Sequence, residues 1–215
     1  MRKLSHVDAA ETRGTPVSPT AYDALLFDFD GVLADTELVH YACWRDVLVP
    51  FGMEIEWPWY QANCVGIADH VLAPCFGVGD PVALVTEKQQ RFRDALTLSP
   101  PFLPETADLI RELAVSYRLA VVSSSFRTEV VPPLERAELD RYFAAILCGD
   151  DVAHLKPAPD PYLKAAEMLQ AKRPLVIEDS DAGVASGQAA GFDVVRISGP
   201  ARLSEELRRR LGGLP

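Results

Sequence analysis

The run Ala24-Leu25-Leu26-Phe27 is apolar at every position and breaks off at Asp28-Phe29-Asp30-Gly31. Side chains on a strand alternate between two faces. A strand can therefore be apolar throughout only when both faces are covered, as in the interior of a parallel sheet. Three further runs have this character, Leu119 to Val122, Ala144 to Leu147 and Leu175 to Ile177, and a fifth, Val194 to Ile197, is apolar except at Arg196. Between them the apolar residues recur at helical spacing. Thr106 to Ser116 carries Ala107, Leu109, Ile110, Leu113 and Ala114; Pro161 to Leu169 and Ala182 to Ala190 read similarly, and Gly191 sits where a helix stop belongs. Strands alternating with helices predict βαβ units.

The stretch from Thr36 to Ser99 breaks this rhythm. It holds all three tryptophans, and its apolar residues fall on helix faces: Val39, Ala42, Cys43 and Val47 on one, Val85, Phe92 and Leu96 on another. Pro100-Pro101 then stops the helix. The expected fold is α/β: a Rossmann-like parallel sheet with helices on both faces and an inserted small α-helical cap. The expected boundaries are a flexible leader over 1–20, a core from 21–35 and 101–215, and the cap over 36–100. A chain of 215 residues suffices for one core and a smaller insert. Met1 to Thr20 lacks an apolar stretch of the kind a secretory signal needs.

A net charge of −10 disfavours nucleic acid and anionic membranes as partners, and it obliges any anionic substrate to find local positive groups. No apolar run approaches the roughly 20 residues that span a bilayer. Cys43, Cys64, Cys75 and Cys148 form no C-x-x-C pair. They are expected to be reduced and mostly buried thiols of a cytoplasmic protein, without zinc or disulfides. A monomer is the default expectation.

Ligands of open α/β sheets bind beyond the carboxyl ends of the strands. There the sequence places Asp28 and Asp30, Ser123-Ser124-Ser125, Lys156-Pro157 and Glu178-Asp179-Ser180. Each piece alone has a plainer meaning. Asp-x-Asp-Gly makes turns, a strand-end serine or Glu-Asp-Ser caps helices, and a lone lysine is usually solvated. A calcium loop is excluded, since counting from Asp28 the sixth and twelfth residues are Leu33 and Val39, not Gly and Glu. Together, four carboxylates on one sheet edge repel one another. A hard divalent cation relieves that repulsion, and all-oxygen ligands suit magnesium.

These segments, in this order, resemble the haloacid dehalogenase-like hydrolase superfamily from Leu25 to about Ile197. Asp28 to Glu37 resembles the family's nucleophile motif, Val121 to Ser125 the second, Lys156 to Pro161 the third and Glu178 to Gly183 the fourth. The insert resembles the helical cap of the β-phosphoglucomutase and phosphoglycolate phosphatase branch. The resemblance implies a magnesium-dependent phosphatase acting on a small phosphorylated metabolite. Asp28 would attack phosphorus, and Asp30 would protonate the leaving oxygen and then activate water. Ser123 would bind a phosphoryl oxygen, and Lys156 would pair with Asp28 and the phosphate. Asp28, the Asp30 carbonyl and Asp179 would hold magnesium, with Glu178 nearby or ligating. Backbone N–H groups after Asp28 would cradle the remaining oxygens.

In the cap, His40 falls where relatives use a histidine to control proton transfer. Cys64 to His70 resembles the substrate-specificity loop, with Gly66 and Asp69 as its candidate contacts. Ser124 and Arg127, beside the second motif, complete the residues expected to face substrate. Where sugar-phosphate mutases carry an arginine this chain has Asp69, which is expected to repel a second phosphate and to favour hydrolysis over a mutase reaction. A dehalogenase would lack Asp30. A phosphonatase would need a lysine in the first cap helix, and the insert's only lysine is Lys88. A non-catalytic binding protein on the same fold is the reading from another class. Asp35-Thr36 and Leu98 to Phe102 are the hinge candidates. Gly77-Val78-Gly79 is no dinucleotide fingerprint, because position 82 is Val82. Arg208-Arg209-Arg210 reads as the solvated end of a helix.

Overall fold

The computed structural model describes residues 22–98 and 101–212. The expected leader, Ser99 and the Pro100 half of the double proline lie outside them. In chain order the elements are β1 (Ala24–Phe27), then α1 (Glu37–Leu48), α2 (Trp57–Asn63), α3 (Asp69–Leu72) and α4 (Pro81–Leu98). Next come α5 (Pro104–Leu113), β2 (Arg118–Val122), α6 (Arg127–Arg136), β3 (Ala145–Leu147) and α7 (Asp160–Met168). The chain continues through β4 (Pro174–Glu178), α8 (Asp181–Ala189), β5 (Asp193–Arg196) and α9 (Leu203–Leu211). All five strands form one parallel sheet in the order β3-β2-β1-β4-β5, so β1 lies at its centre.

Strand alternation divides the apolar runs between two layers. Leu25, Phe27, Leu119, Val121, Leu175 and Ile177 meet side chains of α5, α6 and α9. Leu26, Val122, Leu147 and Val176 meet α7 on the other face. Alanines at 24, 120 and 145 on that second face leave room for Tyr162, which is fully buried. Each large side chain so enclosed contributes roughly 1.5–3 kcal/mol. Gly191 has φ +80°, the left-handed conformation expected of a residue ending a helix.

The helices between β1 and α5 have a core of their own, built from Trp44, Val47, Leu48, Tyr60, Leu72 and Leu84 among others. Of the expected face residues Cys43, Val47, Phe92 and Leu96 are buried, but the centre of each face lies elsewhere. In α1 the buried line is His40, Cys43, Trp44 and Val47, with Val39 and Ala42 at its margin. In α4 it is Leu84, Lys88, Phe92 and Leu96, with Val85 only partly covered. A lysine thus occupies a core position, which apolar counting alone passes over. The chain leaves and returns side by side, because Asp35 N donates to Pro101 O at 2.8 Å. No described helix is long and apolar enough to cross a membrane.

Candidate active site

The loop after β1 is a tight turn. Leu33 N and Ala34 N both donate to Phe29 O, at 3.0 and 2.9 Å, and Gly31 N donates to Ala34 O at 2.9 Å. Gly31 has φ +74°, and a Cβ placed there would lie 2.0 Å from Asp179 Oδ2. Glycine is therefore required twice, for the backbone angle and for the approach of Asp179. Glu178 makes a similar demand: a Cβ on Gly183 would fall 1.8 Å from its carboxylate.

Lys156 joins three strand ends. Its Nζ donates to Asp28 Oδ1 at 2.7 Å, to Glu178 Oε1 at 2.5 Å and to Val122 O at 2.9 Å. Glu178 has no exposed surface. It also accepts from Tyr162 OH at 2.7 Å and from Asp179 N at 3.1 Å, so both its oxygens are engaged. Ser180 Oγ accepts from Gly183 N at 3.0 Å and caps α8, which leaves Asp179 free to face the cavity. Asp28, Glu178 and Asp179 each bring a carboxylate oxygen within 4.8 Å of the others. An all-oxygen set of this charge fits magnesium.

Burial, followed by the charge of Glu178, pushes the Asp28 carboxyl well above the usual range in spite of Lys156. The same two causes raise Asp179 to about 7. In the metal-free protein the sign follows directly. Below the ordinary value of 3.8 the Asp179 carboxyl is protonated in both folded and unfolded chains. Between there and about 7 only the unfolded chain ionises, so this group's contribution to stability is lost as pH rises through that window. Magnesium held by this set would have to displace that proton. Calorimetric titrations at pH 6 in buffers of different ionisation enthalpy are expected to show proton release on binding, and affinity is expected to rise with pH up to about 7. Binding without proton release at pH 6 would contradict this electrostatic picture.

Asp30 is in the opposite state. Thr36 Oγ1 donates to its Oδ1 at 2.5 Å and Ser125 Oγ to its Oδ2 at 2.7 Å, while His40 Nε2 lies 3.2 Å from Oδ1. Burial works to raise its pKa, but the bond and charge of His40, with the two hydroxyls, prevail and hold it well below the carboxylate range. His40 is itself gripped from behind, since Lys88 Nζ lies 2.7 Å from its Nδ1. Burial and Lys88 oppose protonation of the ring, whereas the Asp30 bond and charge favour it and prevail. While Lys88 donates to Nδ1 that nitrogen carries no proton, so the ring donates to Asp30 from Nε2, and protonating the ring would break the Lys88 contact.

A cavity of about 80 Å³ lies between these strand ends and the inserted helices. Asp28, Asp30, Ser123, Ser124, Lys156 and Asp179 line it from the sheet, and His40, Gly66 and Asp69 from the insert. Gly66 lies directly over the sheet side, with a Cβ there meeting Ser180 Cβ at 3.1 Å. Ser123 Oγ accepts from Ser125 N at 2.9 Å, so it also shapes its own turn. Arg127 is not in the lining. It pairs with Asp151 at 2.5 Å and donates to Ile146 O, because its position at the start of α6 turns it toward the end of β3. Asp69 is present but does not stand as a bare charge: both its oxygens accept from Lys88, at 2.9 and 2.8 Å. Sequence reading misses Tyr162 and Glu129, and it names Thr36 only as a hinge residue, Ser125 only within the second motif and Lys88 only as the insert's lysine; the one signal for Lys88 is a charge at four-residue spacing among Leu84, Phe92 and Leu96.

The fold and site define a class of α/β enzymes that set a carboxylate at the end of the central strand, brace it with a lysine from a later loop and cover both with a helical insert. The chain belongs to the haloacid dehalogenase-like hydrolases, whose family model matches residues 25–197. It is 32% identical over 185 residues to the fructose-1-phosphate phosphatase YqaB of Escherichia coli (strain K12), covering 82% of this chain and 96% of that protein. It is 33% identical over 192 residues to protein CbbY of Rhodobacter capsulatus, covering 80% and 83%. Among solved structures, CbbY from Rhodobacter sphaeroides in complex with xylulose-(1,5)bisphosphate matches with a TM-score of 0.71 at 27% identity, covering 82% of this chain and 87% of that one.

Proposed function

We propose that this protein is a magnesium-dependent phosphohydrolase of small phosphate monoesters that works through an aspartyl-phosphate on Asp28. The observation that carries this reading is the row Asp28–Lys156–Glu178, with Asp179 beside it, on the floor of a covered cavity in which Asp30 stands two residues from Asp28. The relatives' names, a fructose-1-phosphate phosphatase and a phosphorylated carbohydrates phosphatase of Thermotoga maritima, favour a sugar phosphate as the ester.

Asp28, Asp179 and the backbone carbonyl of Asp30 would hold magnesium with Glu178 behind them, and the bound ion would supply positive charge where the phosphoryl oxygens gather. Asp28 is the nucleophile, and its unengaged oxygen attacks phosphorus. Lys156 orients Asp28 and offsets charge on the transferring group, which is most of what phosphoryl transfer asks of a protein. Ser123 and the backbone N–H groups after Asp28 bind the phosphoryl oxygens. Asp30 passes a proton to the departing oxygen and then takes one from the water that cleaves the aspartyl-phosphate. The strong hydrogen bonding of Asp30 favours the second of these roles; when its Oδ2 carries a proton, the Ser125 hydroxyl can turn from donor to acceptor while Thr36 and His40 stay on Oδ1. The insert, with Gly66 against Ser180, keeps water out during the first step. The exposed free thiol of Cys75 accords with a cytoplasmic setting.

The test is release of phosphate from p-nitrophenyl phosphate. Release is expected with magnesium and is expected to fall to background in EDTA. Undiminished release in EDTA would overturn the metal's part in this reading.

A further inference from the structure

The cavity has two chemically different halves. The floor carries Lys156, the only lysine or arginine among the described residues that line it. The half beneath the inserted helices is lined by Glu37, Asp69 and Glu129 together with aromatic and aliphatic side chains. The cation nearest to it, Lys88, has no exposed surface and directs its ammonium to both oxygens of Asp69 and to His40 Nδ1. All three of its N–H donors are thus used within the protein.

Glu129 adds an independent observation. It projects from the first turn of α6, its residue surface is 2% exposed, and its Oε2 accepts from Phe126 N at 3.2 Å. Its Oε1 is buried without a hydrogen-bond partner among the described residues. A buried carboxylate oxygen left unpaired is costly unless a ligand donates to it.

We propose that this half of the cavity admits an uncharged, hydroxyl-bearing leaving group and turns away a second phosphate or a carboxylate, with Asp69 as the specificity-determining residue because it occupies Lys88, and Glu129 as the acceptor for a substrate hydroxyl. The inference rests on the phosphohydrolase reading and narrows its substrate to monophosphates of small polyols and sugars. A second anion entering here would meet three carboxyl groups, one of them already paired with Lys88, and no available cation, so nothing would offset the loss of its hydration.

The experiment compares kcat/KM for fructose 1-phosphate, fructose 1,6-bisphosphate and phosphoglycolate with magnesium, using p-nitrophenyl phosphate as a control for the chemistry. Wild type is expected to prefer the monophosphate by about 100-fold or more over both esters that carry a second anionic group. Asp69→Asn is expected to shift the bisphosphate-to-monophosphate ratio toward the bisphosphate by at least about tenfold, and the added change Lys88→Met is expected to remove that gain. Ratios within one variant do not depend on how much of it folds. If wild type cleaves p-nitrophenyl phosphate but handles the bisphosphate as well as the monophosphate, the inference fails and the phosphohydrolase reading stands. A ratio unmoved by Asp69→Asn removes Asp69 from the role. No release from any ester overturns both readings together.

Discussion

Asp28→Asn is expected to lower magnesium-dependent phosphate release by about 10⁴-fold or more while leaving the protein folded. The carboxamide has the shape of the carboxylate, and its oxygen can still accept from Lys156, which keeps Glu178 as a counter-charge at 2.5 Å. What disappears is the anionic oxygen that attacks phosphorus. Neither Glu178 nor Asp30 is placed to replace it. Both oxygens of Glu178 are engaged below the cavity, and those of Asp30 are held by Thr36, Ser125 and His40. The measurement is phosphate release at saturating p-nitrophenyl phosphate, with circular dichroism to establish the fold. Activity within tenfold of wild type would eliminate Asp28 as the nucleophile.

Lys156→Met is expected to damage both stability and turnover. The lysine side chain is 5% exposed, and it compensates Asp28 and Glu178, themselves 10% and 0% exposed. Removing one partner from such a buried set typically costs about 3–5 kcal/mol, because the remaining charges are left uncompensated. For a chain of this length that corresponds to a fall in melting temperature on the order of 10 °C. The loss should be smaller with magnesium, which can stand in for part of the missing charge. A melting temperature unchanged in the absence of metal would show that the carboxylates do not depend on Lys156. Turnover should fall by roughly 10²–10³ even in magnesium, as for removal of other charge-stabilising donors.

The architecture was legible because both-faces burial leaves a plain mark. All five runs became strands, although the edge strand β5 is only partly covered and carries Arg196, and the polar residues after the inner strands met at one sheet edge, since parallel strands in register end together. Asp28, Asp30, Ser123, Lys156, Glu178 and Asp179 could be picked out for the same reason, each being a polar residue at the end of an apolar run or in the loop that follows one. The inserted helices were read less well. Their helical spacing was visible, but the buried lines of α1 and α4 were rotated from the expected ones, because His40 and Lys88 hold core positions that a count of apolar residues assigns to solvent.

The sequence by itself determined the sheet, the order of its chemistry-bearing ends and the family. These follow from local periodicity and from short motifs whose residues act where they stand. The tertiary structure alone decided which charges are spent on one another. Asp69 and Lys88 are 19 residues apart, Lys88 and His40 are 48, and Arg127 reaches Asp151 across 24. Whether a charged side chain confronts a substrate or a partner within the protein depends on the packing of helices distant in sequence. A charge is neutralised by what lies within a few ångströms of it, and no spacing along the chain records that distance.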